Sequence, residues 1–127
     1  MKKVLIPAAI VLLVVAALVI SSLCLKAEEK SADVTLKGTV VDMHCYVTHG
    51  IHDAKHTACA NACIARGVPA GFLAEDGTLY VLFGDKPFSV KDQVVGLADV
   101  PITMTATPVV RGGVKGLQIK SLEKTKS

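Results

Sequence analysis

Aromatic residues are scarce in this chain of 127 residues, which has no tryptophan, two tyrosines and three phenylalanines. A domain that binds ligands by stacking needs aromatic side chains on an exposed face. The five aromatics fall mostly within apolar segments typical of strand cores, so stacking is the least favoured function. The chain also lacks a nucleophile elbow, a phosphate-binding glycine loop and the C-x-x-C-H motif of c-type haem attachment. A bound haem is therefore not expected.

The first 27 residues predict a signal peptide or a membrane anchor. Lys2 and Lys3 precede an uncharged apolar run over residues 4–25. As a hydrophobic helix this run would be about 33 Å long, which is enough to cross a bilayer. Cleavage before residue 28 and retention in the membrane both stay open. In either case we expect residues 34–124 to lie outside the cytoplasm, in the periplasm or cell envelope, after a polar linker over residues 28–33.

Charge is balanced in the part of the chain that follows this segment. The net charge of +3 comes from Lys2, Lys3 and Lys26, since residues 28–127 hold equal numbers of basic and acidic residues. A neutral domain without a basic stripe gives no electrostatic reason to expect a nucleic-acid partner. The expected partners are a metal ion, argued below, and the membrane if the N-terminal helix is not cleaved.

Residues 34–124 predict a mainly β domain (α+β) with five strands and one helix. Alternating apolar residues and turn dipeptides indicate the strands. They are the segment Val34–Asp42, two strands flanking Asp76-Gly77 within residues 71–83, and the segments 101–110 and 114–124. The connection over residues 86–100 is expected to be irregular, with one helical turn near Lys91. We expect a small five-stranded antiparallel OB-like barrel with the helix inserted after the first strand, whereas the OB fold proper has its helix between the third and fourth strands.

The expected helix runs from about Ala54 to Arg66. Asp53 is a suitable N-cap, and the alanine-rich sequence that follows favours a helix. Gly67 and Pro69 then end it.

The stretch "DMHCYVTHGIHDAKHTACANAC", from Asp42 to Cys63, holds all four histidines and three of the four cysteines. On a helix His56, Cys59 and Cys63 lie within a stripe about 60° wide, close to Cys45 at the end of the first strand. His56 and Cys63 are nonetheless roughly 10.5 Å apart along the helix axis, so all four converge on one ion only if the helix begins at or after His56.

One ion, Zn or Cu, is therefore predicted at this stretch. Its ligands are Cys45, His56, Cys59 and Cys63, with Asp42, His49 and His52 as auxiliary residues around them. A closed Cys₃His site of this kind has no open coordination position for catalysis. The sequence thus favours a structural or metal-handling role over an enzymatic one.

Two other interpretations of the cysteines stay open. Cys45 could form a disulfide with Cys59 or Cys63, which would leave one thiol over. The cysteines could also simply pack as small apolar residues. The alternative functions are then a thiol–disulfide protein, in which one cysteine pair cycles, or an OB-like ligand-binding module, in which the cysteines only brace the fold.

The motifs "VVDMHCY", "HTACANACIARGVPAG" and "DGTLYVL" resemble a set of small exported bacterial proteins that are largely uncharacterised. Their shared pattern is D-x-x-C-Y, then H-x-x-C-A-x-x-C-I-x-x-G-x-P, then D-G-x-L-Y. The matching positions here are Asp42, Cys45, Tyr46, His56, Cys59, Ala60, Cys63, Ile64, Gly67, Pro69, Asp76, Gly77, Leu79 and Tyr80. The resemblance covers about residues 38–83. It implies that the three cysteines and His56 act together, leaves His44, His49 and His52 outside the set, and brings no established activity.

Overall fold

The computed structural model describes residues 31–87 and 89–125. The predicted signal peptide or anchor lies outside the described residues. Among the helices that are described, none is long and apolar enough to cross a membrane.

Within residues 31–87 and 89–125, five strands form one mixed sheet. They are β1 (Val34–Asp42), β2 (Ala70–Ala74), β3 (Leu79–Phe83), β4 (Pro101–Arg111) and β5 (Val114–Lys124). Their order is β1-β2-β3-β5-β4, and β4 also pairs with β1, so the sheet closes on itself. The mainly β class and the five strands are thus confirmed, and β1 has its predicted bounds.

The expectation of a wholly antiparallel sheet is wrong, because β3 and β5 pair in parallel over Val81–Phe83 and Gly116–Gln118. The other four pairings are antiparallel. The physical reason is one of parity: in a closed ring with an odd number of strands, directions cannot alternate all the way round. At least one neighbouring pair must be parallel, and a parallel pair needs a longer crossover connection. Here the chain between β3 and β5 supplies it through β4.

The expectation of a single helix is also wrong, since the described residues contain three. They are α1 (Met43–His49), α2 (Thr57–Ala65) and α3 (Val90–Val94). The predicted helix corresponds to α2, which begins three residues later than expected because residues 54–56 form a turn. The helical turn expected near Lys91 is α3. It lies between the third and fourth strands, where the OB fold proper has its helix.

The core lies inside the closed sheet and beneath α2. Its large side chains have almost no exposed surface, and burying each contributes about 1.5–3 kcal/mol to the free energy of unfolding. The largest fully buried apolar residues are Phe72, Ile64, Ile102, Met104, Leu117, Val40, Val41 and Val94. Ile64 and Ala60 are the residues through which α2 packs onto the sheet. Because these two residues face the core, Cys59 and Cys63 lie on more exposed parts of the surface of α2.

Candidate metal centre

Asp42 ends β1 and begins α1. Its Oδ1 accepts hydrogen bonds from the backbone N–H groups of His44 (2.8 Å) and Cys45 (3.2 Å). This is the N-cap arrangement that satisfies the unpaired donors of a first helical turn. Gly50 ends α1 in the left-handed conformation, with φ of 70°. The chain therefore turns back after one short helix, and Cys45 lies in its first turn.

His56 comes directly before α2. Asp53 Oδ1 accepts from the backbone N–H groups of Lys55 (2.9 Å) and His56 (3.1 Å), so Asp53 caps the preceding turn and not α2 itself. α2 begins at Thr57, but His56 already has helical backbone angles, with φ of −86° and ψ of −15°, and its carbonyl accepts from the N–H of Ala60 at 2.9 Å. The helix therefore starts after His56, as convergence on one ion requires, although His56 belongs to its first hydrogen-bonded turn.

The His56 ring points to a residue far along the chain. Its Nδ1 lies 3.0 Å from Oδ2 of Asp99, and the Asp99 side chain is fully buried. With Asp99 ionised, Nδ1 of the neutral ring is the donor, which leaves the lone pair on Nε2. Nε2 is itself buried and has no hydrogen-bond partner among the described residues.

Asp99 is held by its backbone and by α2. Its N–H donates to the carbonyl of Val40 at 2.8 Å, and its φ is 56°, an unusual conformation for a residue other than glycine. Asn61 of α2 accepts from the N–H groups of Gly96 (2.7 Å) and Ala98 (3.2 Å) through its Oδ1. These contacts fix the Asp99 carboxylate relative to α2 and so relative to His56. Burial raises the pKa of Asp99, and the nearby His56 ring opposes that rise.

Cys45, Cys59 and Cys63 are free thiols, and two of them, Cys45 and Cys63, are close enough to Asp42 to feel its charge. The pKa of Cys63 is raised to about 11, first because its thiol points to the Asp42 carboxylate and then because burial disfavours the thiolate. Asp42 Oδ2 is buried and has no hydrogen-bond partner among the described residues, so the thiol is near this oxygen without forming a hydrogen bond of normal geometry. Burial, followed by the charge of Asp42, raises the pKa of Cys45. Cys59 is exposed, and its proximity contributes to both shifts.

The remaining three histidines differ in what they contact. His44 and His49 are exposed on α1 and contact each other edge to face, with ring centroids 6.1 Å apart. His52 is exposed, packs against Tyr46 at 5.4 Å, and is near enough to Asp99 to help lower its pKa. His52 is thus close to the His56–Asp99 pair, whereas His49 pairs with His44.

No three His, Cys, Asp or Glu side chains within residues 31–87 and 89–125 are arranged so that they could hold a metal ion as they stand. The structure brings Cys45 and Cys63 near Asp42, with Cys59 near both thiols, and pairs His56 with Asp99, whose charge reaches Cys45. Sequence reasoning missed Asp99 and Asn61. Asp99 is 43 residues from its histidine, so no local pattern could have revealed the pair.

Comparison with known proteins gives no guide to this site. No protein-family model, curated protein or solved structure matches the chain. The function is therefore argued from the chemistry of the site alone.

Proposed function

We propose that residues 34–124 form an OB-like domain outside the cytoplasm that binds one Zn or Cu ion through Cys45, His56, Cys59 and Cys63. Its role is structural or metal-handling. An ion bound by three thiolates and one imidazole suits either metal, because both accept sulfur and nitrogen ligands.

The observation that carries the proposal is the state of His56. A metal-binding histidine usually donates its second ring N–H to a carboxylate, which fixes the ring and leaves the other nitrogen for the metal. His56 has this arrangement, with Nδ1 against Asp99 and Nε2 buried and unpaired among the described residues. An unpaired buried ring nitrogen costs free energy, and a bound cation offsets that cost.

The thiols support the same interpretation. Burial and the nearby Asp42 carboxylate raise the pKa of Cys45, and contact of its thiol with that carboxylate, together with burial, raises the pKa of Cys63. A divalent cation reverses this balance because it binds the thiolate and attracts the carboxylate. The thiols would then turn towards the ion as they ionise, with the exposed Cys59 the least restrained. Metal binding would thus complete an arrangement that is only partly assembled without the ion.

The alternative is a thiol–disulfide protein in which one cysteine pair cycles. A reactive thiol needs a lowered pKa, since the thiolate is the nucleophile. The pKa of Cys45 and that of Cys63 are both raised. This counts against Cys45 or Cys63 as the attacking thiol of such a pair.

The test is metal analysis with thiol titration on the protein purified without air and without added metal. We expect about one Zn or Cu per chain and no reaction of Cys45, Cys59 and Cys63 with a thiol reagent until a chelator is added. Cys24→Ser removes the fourth cysteine, so that the titration reports only on these three. One reactive thiol, no metal and one disulfide per chain would contradict the proposal and support either the thiol–disulfide protein or an OB-like module that a disulfide braces.

A further inference from the structure

The ligand types of the candidate metal centre do not distinguish Zn²⁺ from Cu⁺. Both ions accept thiolate sulfur and imidazole nitrogen, so the four proposed ligands suit either one. The two ions differ in charge, however. Fixed charges close to the ligands can therefore favour one ion over the other.

Asp42 places a buried carboxylate against one of the proposed ligands. It is 1% exposed, and its Oδ1 lies 3.2 Å from the backbone nitrogen of Cys45. Its Oδ2 is buried and has no hydrogen-bond partner among the described residues. Contact with this carboxylate, and then burial, raise the pKa of Cys63 to about 11. A buried carboxylate oxygen that lacks a partner is stabilised by a nearby cation.

Asp99 places a second buried carboxylate against another proposed ligand. Its Oδ2 lies 3.0 Å from Nδ1 of His56, and its side chain has no exposed surface. Its Oδ1 is buried and also lacks a hydrogen-bond partner in the part of the chain that the structure describes. Burial raises the pKa of Cys45 most, and the charges of Asp42 and Asp99 both add to that rise. The two carboxylates thus act on the same group of ligands.

No basic side chain offsets these two carboxylates within residues 31–87 and 89–125. Neither Asp42 nor Asp99 forms a salt bridge there with a lysine or an arginine, and the one partner of Asp99 is His56. An imidazole that binds a metal ion is neutral, so His56 would not supply a positive charge either. The negative potential of the two carboxylates is therefore left for the ion to balance.

The energy of an ion in a fixed negative potential is proportional to the charge of the ion. When the same ligands are ionised, Zn²⁺ therefore gains more from Asp42 and Asp99 than Cu⁺ does. Cu⁺ would also leave one more uncompensated negative charge beside them, which is unfavourable where water is excluded. Because both carboxylates are buried, salt and water screen this difference less than they would at the surface.

We infer, on the basis of the proposed function, that the buried carboxylates of Asp42 and Asp99 bias the candidate metal centre towards a divalent ion. They raise its affinity for Zn²⁺ more than its affinity for Cu⁺. They act through their charge and need not bind the ion themselves.

Asp42→Asn tests this bias because it removes one charge and keeps an oxygen that can accept from the N–H groups of the first turn of α1. The affinities for Zn²⁺ and for Cu⁺ are measured on the full chain without air, each by competition with a chelator. Both proteins carry Cys24→Ser so that no other thiol binds Cu⁺. We expect the ratio of the Zn²⁺ affinity to the Cu⁺ affinity to fall by about tenfold in Asp42→Asn. A loss of ligand geometry that weakens both ions cancels in this ratio.

Two further variants complete the experiment. Asp99→Asn removes the other buried charge and should lower the same ratio, so the test does not depend on one variant. Asp92→Asn removes an exposed carboxylate on α3 and is the matched control. Its ratio should equal that of the parent protein.

The outcomes separate this bias from the proposed function. Binding of either ion with a ratio that is unchanged in Asp42→Asn and Asp99→Asn would overturn the bias and leave the proposed function standing. An equal loss of both affinities in Asp42→Asn would also overturn it, because Asp42 would then only hold α1 in place. Failure of the parent protein to bind either ion would overturn the proposed function, and the bias with it.

Discussion

At the scale of single residues, the His56–Asp99 pair sets what the candidate metal centre can do. It combines a buried carboxylate, an unusual backbone conformation at Asp99 and a ring nitrogen without a partner among the described residues. A histidine that only packed in a core would not need the first two. Two sets of substitutions test this arrangement: one changes the proposed ligands, and the other changes the Asp99 carboxylate that contacts His56.

Single substitutions of the four proposed ligands separate a metal site from a disulfide. We expect Cys45→Ser, Cys59→Ser, Cys63→Ser and His56→Ala each to lower metal affinity and the melting temperature, because in such sites binding free energy is folding free energy. Thermal melts with and without chelator measure this, with the exposed His44→Ala as control. A disulfide would instead make two of the cysteines matter, by roughly 2–5 kcal/mol. The third cysteine and His56 would then be nearly silent.

Asp99→Asn tests the carboxylate separately from the ligands. We expect metal affinity to fall by about 10–100-fold while the thiols stay in place, because the partner that orients a ligating histidine is lost. Competition with a chelator gives the affinity, and Asp92→Asn, an exposed substitution on α3, is the control. An unchanged affinity in Asp99→Asn would show that the Asp99 carboxylate does not strengthen metal binding through His56.

At the scale of helices and turns, small caps place the functional side chains. α1 has no buried residues, so it has no apolar stripe from which it could have been predicted. Its only sequence signals are Asp42 before it and Gly50 after it, and both were available in the sequence. The two hairpins were predictable for the same kind of reason, because Asp76-Gly77 and Gly112-Gly113 are residues that tight turns require.

The hydrogen bonds by which Asp42 caps α1 can be separated from the effect of its charge by two substitutions. Asp42→Ala removes the acceptor for two backbone N–H groups, and we expect a loss of about 0.5–2 kcal/mol in the free energy of unfolding. Asp42→Asn keeps an acceptor oxygen and should lose less. Urea denaturation of the metal-free protein compares the two. If both variants lose the same stability, the role of Asp42 lies in its charge and not in the cap.

The turn at Asp76 should make stability depend on acid. The backbone N–H of Thr78 donates to Oδ1 at 2.8 Å and lowers the pKa of Asp76. A lowered pKa stabilises the folded state above the unfolded value, near pH 4, and this contribution disappears as the pH falls through the folded value. We therefore expect the metal-free protein to unfold at a higher urea concentration than its Asp76→Asn variant at pH 7. The difference between the two urea midpoints should shrink as the pH falls towards 2. A difference that is constant with pH contradicts this.

At the scale of the whole molecule, closing the sheet brings backbones into close contact at Gly38. This residue pairs with Ala74 on one side and Ile102 on the other. A Cβ there would lie 2.2 Å from the carbonyl oxygen of Leu73 and 2.8 Å from Cζ of Phe72. We expect Gly38→Ala to destabilise the fold by about 1–3 kcal/mol or more, because a backbone atom cannot move aside as a side chain can. Urea denaturation measures it, with the exposed Lys37→Ala as control, and equal stability of the two variants would contradict the tight contact.

The sequence predicted the parts of this fold better than their arrangement. Strand number and the position of β1 follow from local alternation, which reports only on near neighbours along the chain. The parallel pair between β3 and β5 depends on how the ring closes, which no local pattern encodes. The same distinction holds at the site: Cys45 to Cys63 form one visible cluster, while Asp99 joins them only through tertiary structure.

The ring closure also has a consequence for the order of events during folding. Asp99 is anchored through the carbonyl of Val40, and Val34 meets Ala106, so these contacts join distant parts of the chain. Topologies dominated by such contacts fold in milliseconds to seconds, more slowly than helical bundles. The thiols all lie in the first half of the chain, whereas the carboxylate that contacts His56 lies just before β4 and reaches the ring only once the segment before β4 has docked on β1. If an ion binds as proposed, the imidazole becomes fixed for it only when this long-range contact has formed.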